Sequence, residues 1–225
     1  MKKYKVLCTI CARGGSKGVK NKNIKEINSK PLIAYTVEQA TDSKLFEHID
    51  VAKAYGCESF FKRDDTLSSD TAGKLDVIKD AFVRSEEFYN TKFDYLIDLD
   101  ATAPLRETQD ILNSFSQFLA DDNENLISAM PSRRSPYFNL VEVSKDKKVS
   151  LSKALDTSIK RRQDAPKSYD MNASIYIWKR EVILNETSLF LDTTGLYIMP
   201  EERSIDIDTE LDYKFVEFLM KERDA

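Results

Sequence analysis

A glycine-rich, cationic segment follows the first apolar run of the chain. It reads Ala12-Arg-Gly-Gly-Ser-Lys-Gly18 and continues to Lys22. Its glycines allow backbone N–H groups to approach an anion closely, while Arg13, Lys17 and Lys22 add positive charge. The spacing matches neither of the two standard glycine-rich phosphate loops. The segment therefore predicts a polyphosphate site, and the alternative is a solvated basic turn.

Two carboxylates near the end of the chain complement this loop. Asp206 and Asp208 lie two residues apart in Ser204-Ile-Asp-Ile-Asp-Thr-Glu. In an extended segment they share one face and are able to converge on a divalent cation. Alone, such a pair is more often a helix cap or a solvated turn. Beside a polyphosphate loop it predicts a Mg²⁺ site that neutralises phosphates, orients an α-phosphate and stabilises a departing pyrophosphate.

Alternating strand and helix patterns predict the elements that position these residues. Apolar runs indicate strands at Lys5–Ile10, Tyr95–Asp100, Asn125–Met130, Asn172–Trp178 and Leu196–Met199. Amphipathic periodicity indicates helices at Pro31–Ser43, Asp70–Phe82, Thr108–Ala120 and Leu211–Arg223. The expected fold is an α/β three-layer sandwich with a mostly parallel, Rossmann-like sheet. Ligands are expected at strand ends such as 98–106.

Composition excludes several classes of function. With 34 basic and 38 acidic residues interleaved along 225, the chain has no broad basic face for nucleic acid. No apolar run is long enough to span a membrane or to act as a signal peptide. Three unpaired-looking cysteines indicate reduced thiols and a cytoplasmic protein rather than a metal site. The lone histidine, His48, is expected at the surface.

The loop closely resembles the signature of the cytidylyltransferases that activate sialic acid and related nonulosonic acids. The resemblance rests on Ala12–Gly18 with the following Lys22 and Asn23, and it extends over nearly the whole chain, including Asp206 and Asp208. It implies one nucleotidyltransferase domain over residues 1–225. It also implies a dimerisation and sugar-site excursion at about residues 132–170, and hence a homodimer.

The resemblance assigns roles to individual residues. The implied catalytic residues are Arg13, Lys17 and Asp208. The resemblance also implies that Asp206 and Asp208 together bind Mg²⁺. The implied nucleotide-binding residues are Ala12, Arg13, Gly14, Ser16, Lys17, Lys22, Asn23 and Arg63. The implied sugar-binding residues are Asp100, Thr102, Arg162, Asn172 and Tyr176. Arg162 is able to pair bidentately with a sugar carboxylate, although a run such as 160–162 alone indicates solvated surface.

Two departures from the family pattern indicate a sugar other than N-acetylneuraminic acid. Asp100-Ala-Thr-Ala-Pro-Leu-Arg106 stands where typical sialic-acid enzymes have Gln-Pro-Thr-Ser-Pro-Leu-Arg. Asp170-Met-Asn-Ala173 stands where they have Arg-Pro-Asn-Gly. Carboxylates thus replace neutral or basic donors, and the pattern resembles the synthetases for legionaminic-type sugars.

A third departure predicts a shortened sheet. After Leu45–Ile49 the family continues into a second core strand and a turn, whereas here Ile49 runs almost directly into Val51-Ala-Lys-Ala-Tyr-Gly. A strand, a turn and a first helical turn are therefore expected to be missing. Such a loss would expose apolar surface and unpaired backbone groups.

The sequence and the resemblance together predict a Mg²⁺-dependent cytidylyltransferase. It would transfer CMP from CTP to an N-acylated nonulosonic acid and release pyrophosphate. Two alternatives stay open. One is a catalytically impaired nucleotide-binding or dimerisation homologue, because of the missing strand. The other is a transferase for 3-deoxy-octulosonic acid or another sugar.

Overall fold

A six-stranded sheet lies at the centre of the protein, with helices on both of its faces. The computed structural model describes residues 4–12, 18–50, 73–155 and 159–224. The strands are β1 (Val6–Thr9), β2 (Glu26–Ile27), β3 (Lys30–Pro31), β4 (His48–Asp50), β5 (Tyr95–Leu99), β6 (Asn125–Pro131), β7 (Val141–Val143), β8 (Val149–Leu151), β9 (Tyr169–Lys179) and β10 (Thr194–Ile198). The helices are α1 (Leu32–Ser43), α2 (Lys74–Phe88), α3 (Thr108–Ala120), α4 (Arg180–Asn185) and α5 (Glu210–Asp224).

The sheet is mostly parallel, with one strand reversed. Its order is β10-β6-β9-β5-β1-β4. Strands β5, β1 and β4 run parallel to one another, as do β6 and β10. Strand β9 is antiparallel to both of its neighbours, β5 and β6. The α/β sandwich predicted from the alternating pattern is confirmed.

Three apolar cores hold the layers together. Because helices cover both faces of the sheet, alternate residues of one strand enter different cores. Val6 and Cys8 of β1 pack with α1 and α3, whereas Leu7 packs with α2 and α4. In the third core, Ile207 and α5 pack against Val19 and the start of α1. This third core places residues 204–209 beside the loop that follows β1.

The loop after β5 is fixed by the buried side chain of Arg106. Its guanidinium donates to the Ser174 carbonyl at 2.7 Å, to the Ser174 hydroxyl at 3.1 Å and to the Gln39 amide oxygen at 3.0 Å. Burial lowers the pKa of Arg106 to about 10. The loop is therefore tied to β9 on one side and to α1 on the other.

Of the strand, the turn and the first helical turn that the sequence predicts to be missing, the strand is present, so that part of the prediction is wrong. The turn and the helical turn fall in residues 51–72, which lie outside the described residues. His48–Asp50 forms the parallel edge strand β4, with Ile49 opposite Cys8 of β1. The Asp50 carboxylate accepts hydrogen bonds from the hydroxyls of Ser85 and Tyr89 on α2 and just after it. His48, predicted at the surface, is half-buried, and its ring stacks on Tyr89 with centroids 3.7 Å apart. Short strands with polar residues are typical of sheet edges, which is why the apolar pattern did not reveal this one.

Other element boundaries differ in smaller ways. The helix predicted from Asp70 begins at Lys74 and continues to Phe88, while Asp70 itself lies outside the described residues. The alternating run at 141–149 belongs to a two-stranded hairpin of β7 and β8. Helix α4 was not predicted because six residues are too few to establish a helical period.

Among the described residues, no helix combines the length and the apolar character needed to cross a membrane.

We expect Arg106→Met to lower the free energy of unfolding by about 3 kcal/mol, because the buried Ser174 hydroxyl and the half-buried Gln39 amide oxygen would lose their donor and the Ser174 carbonyl would keep only the Asp100 amide. Urea unfolding followed by circular dichroism measures this change. Lys221→Met is the control, since its side chain is exposed and its pair with Glu217 at 3.3 Å is a surface i,i+4 contact. Equal stability losses in both variants would contradict the anchoring role of Arg106.

Candidate active site

A cavity of about 490 Å³ opens at the carboxyl ends of β1 and β5, where open α/β sheets place their ligands. Five segments of the chain meet there: the loop after β1, the start of α2, the loop after β5, strand β9 and the segment before α5. The lining residues are Cys11, Gly18, Lys22, Asn23, Lys74, Asp100, Thr102, Ala173, Asp206 and Asp208.

The loop after β1 is held directly against the segment before α5. The Lys22 ammonium donates to the Ile207 carbonyl at 2.5 Å and to the Asp208 carboxylate at 3.1 Å. A Cβ atom placed on Gly18 would lie 1.9 Å from the Asp208 carbonyl oxygen. Only glycine allows these two backbones to approach so closely.

Asp206 and Asp208 form the carboxylate side of the cavity. Asp206 is half-buried and Asp208 is exposed. Burial raises the pKa of Asp206, and the nearby negative charges of Asp208 and Asp100 raise it further. Because like charges face one another here, a bound cation would relieve their repulsion.

Asp100 and Lys74 form the opposite side. One Asp100 oxygen accepts from the Thr102 amide at 2.9 Å and the Thr102 hydroxyl at 2.8 Å, while the other accepts from the Lys74 ammonium at 2.9 Å. Burial alone would raise the pKa of Asp100, but Lys74 and Thr102 outweigh burial and lower it. Asp100 is therefore held in its ionised form.

A second carboxyl group, Asp98, lies inside the sheet next to this pair. Its side chain is 1% exposed. One oxygen accepts from the Thr9 hydroxyl at 2.8 Å, and the other lies 3.7 Å from the Lys74 nitrogen. Burial raises the pKa of Asp98, although Lys74 and Thr9 act in the opposite direction. Burial lowers the pKa of Lys74, but Asp100 and Asp98 outweigh burial and raise it above its usual range.

Three of the predicted sugar-binding residues lie outside the lining of this cavity. Arg162 is exposed, donates to the Ser132 carbonyl at 2.7 Å and lines a different cavity of about 400 Å³. Asn172 is buried, and its amide group is bonded to Ser128 and Ser204. Tyr176 is buried with the Lys74 nitrogen 4.3 Å from its ring centroid, and it lines a second cavity of about 320 Å³.

Comparison with known proteins identifies the family. Residues 7–223 match the profile of the family described as Cytidylyltransferase. The chain belongs to the cytidylyltransferase family.

Two relatives are similar over almost their whole length. The chain is 54% identical over 228 aligned residues to the Post-translational flagellin modification protein B of Campylobacter coli, covering 97% of this chain and 96% of the relative. It is 53% identical over 225 residues to the CMP-N,N'-diacetyllegionaminic acid synthase of Campylobacter jejuni, covering 96% and 94%. The first alignment exceeds the length of this chain, so that relative carries residues that have no counterpart here.

A solved structure shares the fold. The structure of CMP:2-keto-3-deoxy-manno-octonic acid synthetase complexed with CTP matches with a TM-score of 0.68, covering 97% of this chain and 99% of that one. Sequence identity is 17%, so this match concerns the fold alone.

In this cytidylyltransferase, six residues that were predicted as site residues line one cavity: Lys22, Asn23, Asp100, Thr102, Asp206 and Asp208. Ala12 is exposed at the end of the segment that leads from β1. The predicted residues Arg13, Gly14, Ser16, Lys17 and Arg63 lie outside the described residues, so their roles stay predictions.

Four residues near the cavity were not named as site residues from the sequence: Cys11, Lys74, Asp98 and Ala173. Asp98 and Ala173 nevertheless lie in segments that the sequence analysis connects with ligand binding. Two signals pointed towards them. Asp98 is a carboxylate within an apolar strand, and Lys74 is the first residue of α2, directly after Gly73. Ala173 adopts a φ of 52°, which a sequence pattern for a regular strand does not reveal.

We expect Gly18→Ala to reduce affinity for CTP roughly tenfold or more, because the added methyl must displace the Asp208 backbone from the cavity. Isothermal titration calorimetry measures this loss. Gly195→Ala is the matched control, since its Cβ would meet only the Asn123 side-chain amide, which is able to rotate away. If Gly18→Ala bound CTP with wild-type affinity, the close approach of the Gly18 and Asp208 backbones would not matter for CTP binding, contrary to this prediction.

Proposed function

We propose that this cytidylyltransferase transfers CMP from CTP to an N-acylated nonulosonic acid of the legionaminic type and releases pyrophosphate. The observation that carries the proposal is the meeting of Lys22 and Asn23 with Asp206 and Asp208 in one cavity. It brings a cationic loop and a carboxylate pair together, as transfer of a nucleotide from a triphosphate requires. The 53% identity to a CMP-N,N'-diacetyllegionaminic acid synthase supports the choice of sugar.

The carboxylate pair fits a Mg²⁺ ion. Both donors are carboxylate oxygens, and Mg²⁺ is typically held by one or two carboxylates together with substrate phosphates. Burial and the negative charges of Asp208 and Asp100 raise the pKa of Asp206 although Lys22 acts in the opposite direction, and a bound cation would offset the repulsion among these carboxylates. Asp206 and Asp208 would hold the ion, which when bound supplies charge neutralisation to the phosphates.

The chain's own residues would then orient the reaction. The anomeric hydroxyl loses its proton to solvent water as its oxygen attacks the α-phosphorus. The new P–O bond forms while the bond from the α-phosphorus to the bridging oxygen breaks, and pyrophosphate leaves with the electrons of that bond. Lys22 places a positive charge beside Asp208 in the cavity that Gly18 also lines. Arg13 and Lys17 are proposed to stabilise the leaving pyrophosphate. A cytoplasmic location also stays a prediction.

A homodimer is proposed from the hairpin of β7 and β8. Val141 pairs with Leu151 and Val143 with Val149, so all four aliphatic side chains share one face. That face is exposed, with Val143 at 64% and Val149 at 66%. A two-stranded hairpin is only marginally stable by itself. We propose that a second copy of the chain covers this face, which lies within the predicted excursion at residues 132–170.

We expect pyrophosphate release when CTP, Mg²⁺ and N,N'-diacetyllegionaminic acid are supplied together. The selectivity for the sugar is tested by replacing it with sialic, pseudaminic or 3-deoxy-octulosonic acid. The selectivity for CTP is tested by replacing it with UTP, ATP or GTP. Asp208→Asn should lower kcat roughly a hundredfold or more, because one metal-binding charge is lost.

Asp42→Asn is the control for that substitution, because Asp42 is an exposed residue of α1. Release with 3-deoxy-octulosonic acid alone would replace the proposed sugar. No release with any sugar would refute the transferase, and full activity in Asp208→Asn would refute the metal assignment.

We expect Val143→Glu to convert a dimer into a monomer in analytical ultracentrifugation, because a buried, unpaired carboxylate opposes association. Ser150→Glu is the matched control, since Ser150 pairs with Glu142 on the other face of the same hairpin. A wild type that sediments as a monomer would contradict the proposed dimer.

A further inference from the structure

Lys74 is held at one position by three neighbours. Its nitrogen lies 2.9 Å from Asp100, 3.7 Å from Asp98 and 4.3 Å from the Tyr176 ring centroid. Asp98 lies within β5 and Asp100 directly follows it, while Tyr176 lies on β9. Lys74 itself is the first residue of α2. The ammonium is therefore fixed relative to the sheet rather than extended into solvent.

The carboxylate beside Lys74 has its hydrogen-bonding capacity largely occupied. One Asp100 oxygen takes both Thr102 donors and the other takes Lys74. Asp100 is thus suited to position the ammonium rather than to receive a substrate donor. An ammonium has three N–H donors, and the 3.7 Å separation from Asp98 is too long for a hydrogen bond. Donor capacity remains for a ligand.

Lys74 is also accessible to a ligand. Its side chain is 39% exposed. It lines the 490 Å³ cavity and also the second cavity of about 320 Å³, whose walls include Tyr176 and Trp178. An anionic molecule in either cavity would meet the same ammonium. Lys22, the other described lysine of the large cavity, is already bonded to Ile207 and Asp208.

We propose that Lys74 is a substrate-binding residue whose ammonium donates to an anionic oxygen of a substrate, with Asp100 and Tyr176 as its positioning residues. This inference rests on the proposed function, in which both substrates are anions. The oxygen belongs either to the carboxylate of the acidic sugar or to a phosphate of CTP. Both offer the charge-assisted hydrogen bond that an ammonium makes most strongly.

The test is steady-state kinetics of Lys74→Met with each substrate varied in turn. The KM for the substrate that Lys74 contacts should rise roughly tenfold to a hundredfold, and Lys74→Arg should recover much of the loss. A rise confined to the sugar identifies the carboxylate as the ligand. A rise confined to CTP identifies a phosphate.

Lys30→Met is a closely matched control. Lys30 is 37% exposed, pairs with Glu38 at 2.6 Å and lies 4.8 Å from the Tyr35 ring centroid, yet it does not line the 490 Å³ cavity. It reproduces the loss of a lysine that has one carboxylate partner and one aromatic partner. Its KM values should stay within about twofold of wild type.

Unchanged KM values for both substrates in a folded Lys74→Met, with only a lower melting temperature, would overturn the inference in favour of a structural role. If Lys74→Met fails to fold, Lys74→Gln carries the same test. An inactive wild type would instead refute the proposed function. Calorimetric titration with CTP and with the sugar separately tests Lys74 even then, because binding requires no turnover.

Discussion

The arrangement of the site is governed by a concentration of negative charge at one edge of the sheet. Asp98, Asp100, Asp206 and Asp208 all lie in or beside a cavity suited to anionic ligands. Each carboxylate raises the free energy of its neighbours' ionised forms and repels a phosphate. Each of the two groups of carboxylates has one lysine beside it, which offsets part of this repulsion. Lys22 pairs with Asp208, and Lys74 pairs with Asp100 near Asp98. Asp206 keeps a raised pKa through burial and the charges of Asp208 and Asp100, and it is one of the two carboxylates proposed to hold Mg²⁺.

Holding these charges at fixed distances requires four remote segments to be rigid relative to one another: the loop after β1, the start of α2, β5 with its following residue, and the segment before α5. The sheet fixes the ends of β1 and β5, and the third core fixes residues 204–209 through Ile207 and α5. Arg106 ties the loop after β5 to β9 and α1 by buried hydrogen bonds. Gly18 allows the final contact, because any side chain there would collide with the Asp208 backbone. The precision of the site therefore comes from packing outside it.

The sequence predicted well those helices and strands whose apolar residues recur at a regular spacing. Helix α3 begins and ends as its amphipathic pattern predicts, and β5 differs from its predicted end by one residue. Lys22, Asp206 and Asp208 were predicted as members of one site because their chemistry is complementary. Strand β4 was missed because three partly polar residues at a sheet edge have no apolar signature. Asn172 was predicted as a sugar-binding residue from a family motif. In the structure its amide group instead makes hydrogen bonds to the buried side chains of Ser128 and Ser204.

Asp100 stands where typical sialic-acid enzymes have a neutral residue, and its contact with Lys74 suggests a physical reason for this difference. A carboxylate at this position without a cation partner would interact unfavourably with the carboxylates of Asp98 and Asp206 and would repel an acidic substrate. With Lys74 bonded to it, the pair carries no net charge and presents an ammonium to the cavity instead. Asp100 then influences substrate binding through the lysine that it orients. Selectivity among acidic sugars would in that case depend on two residues that are 26 positions apart in sequence and meet only in the fold.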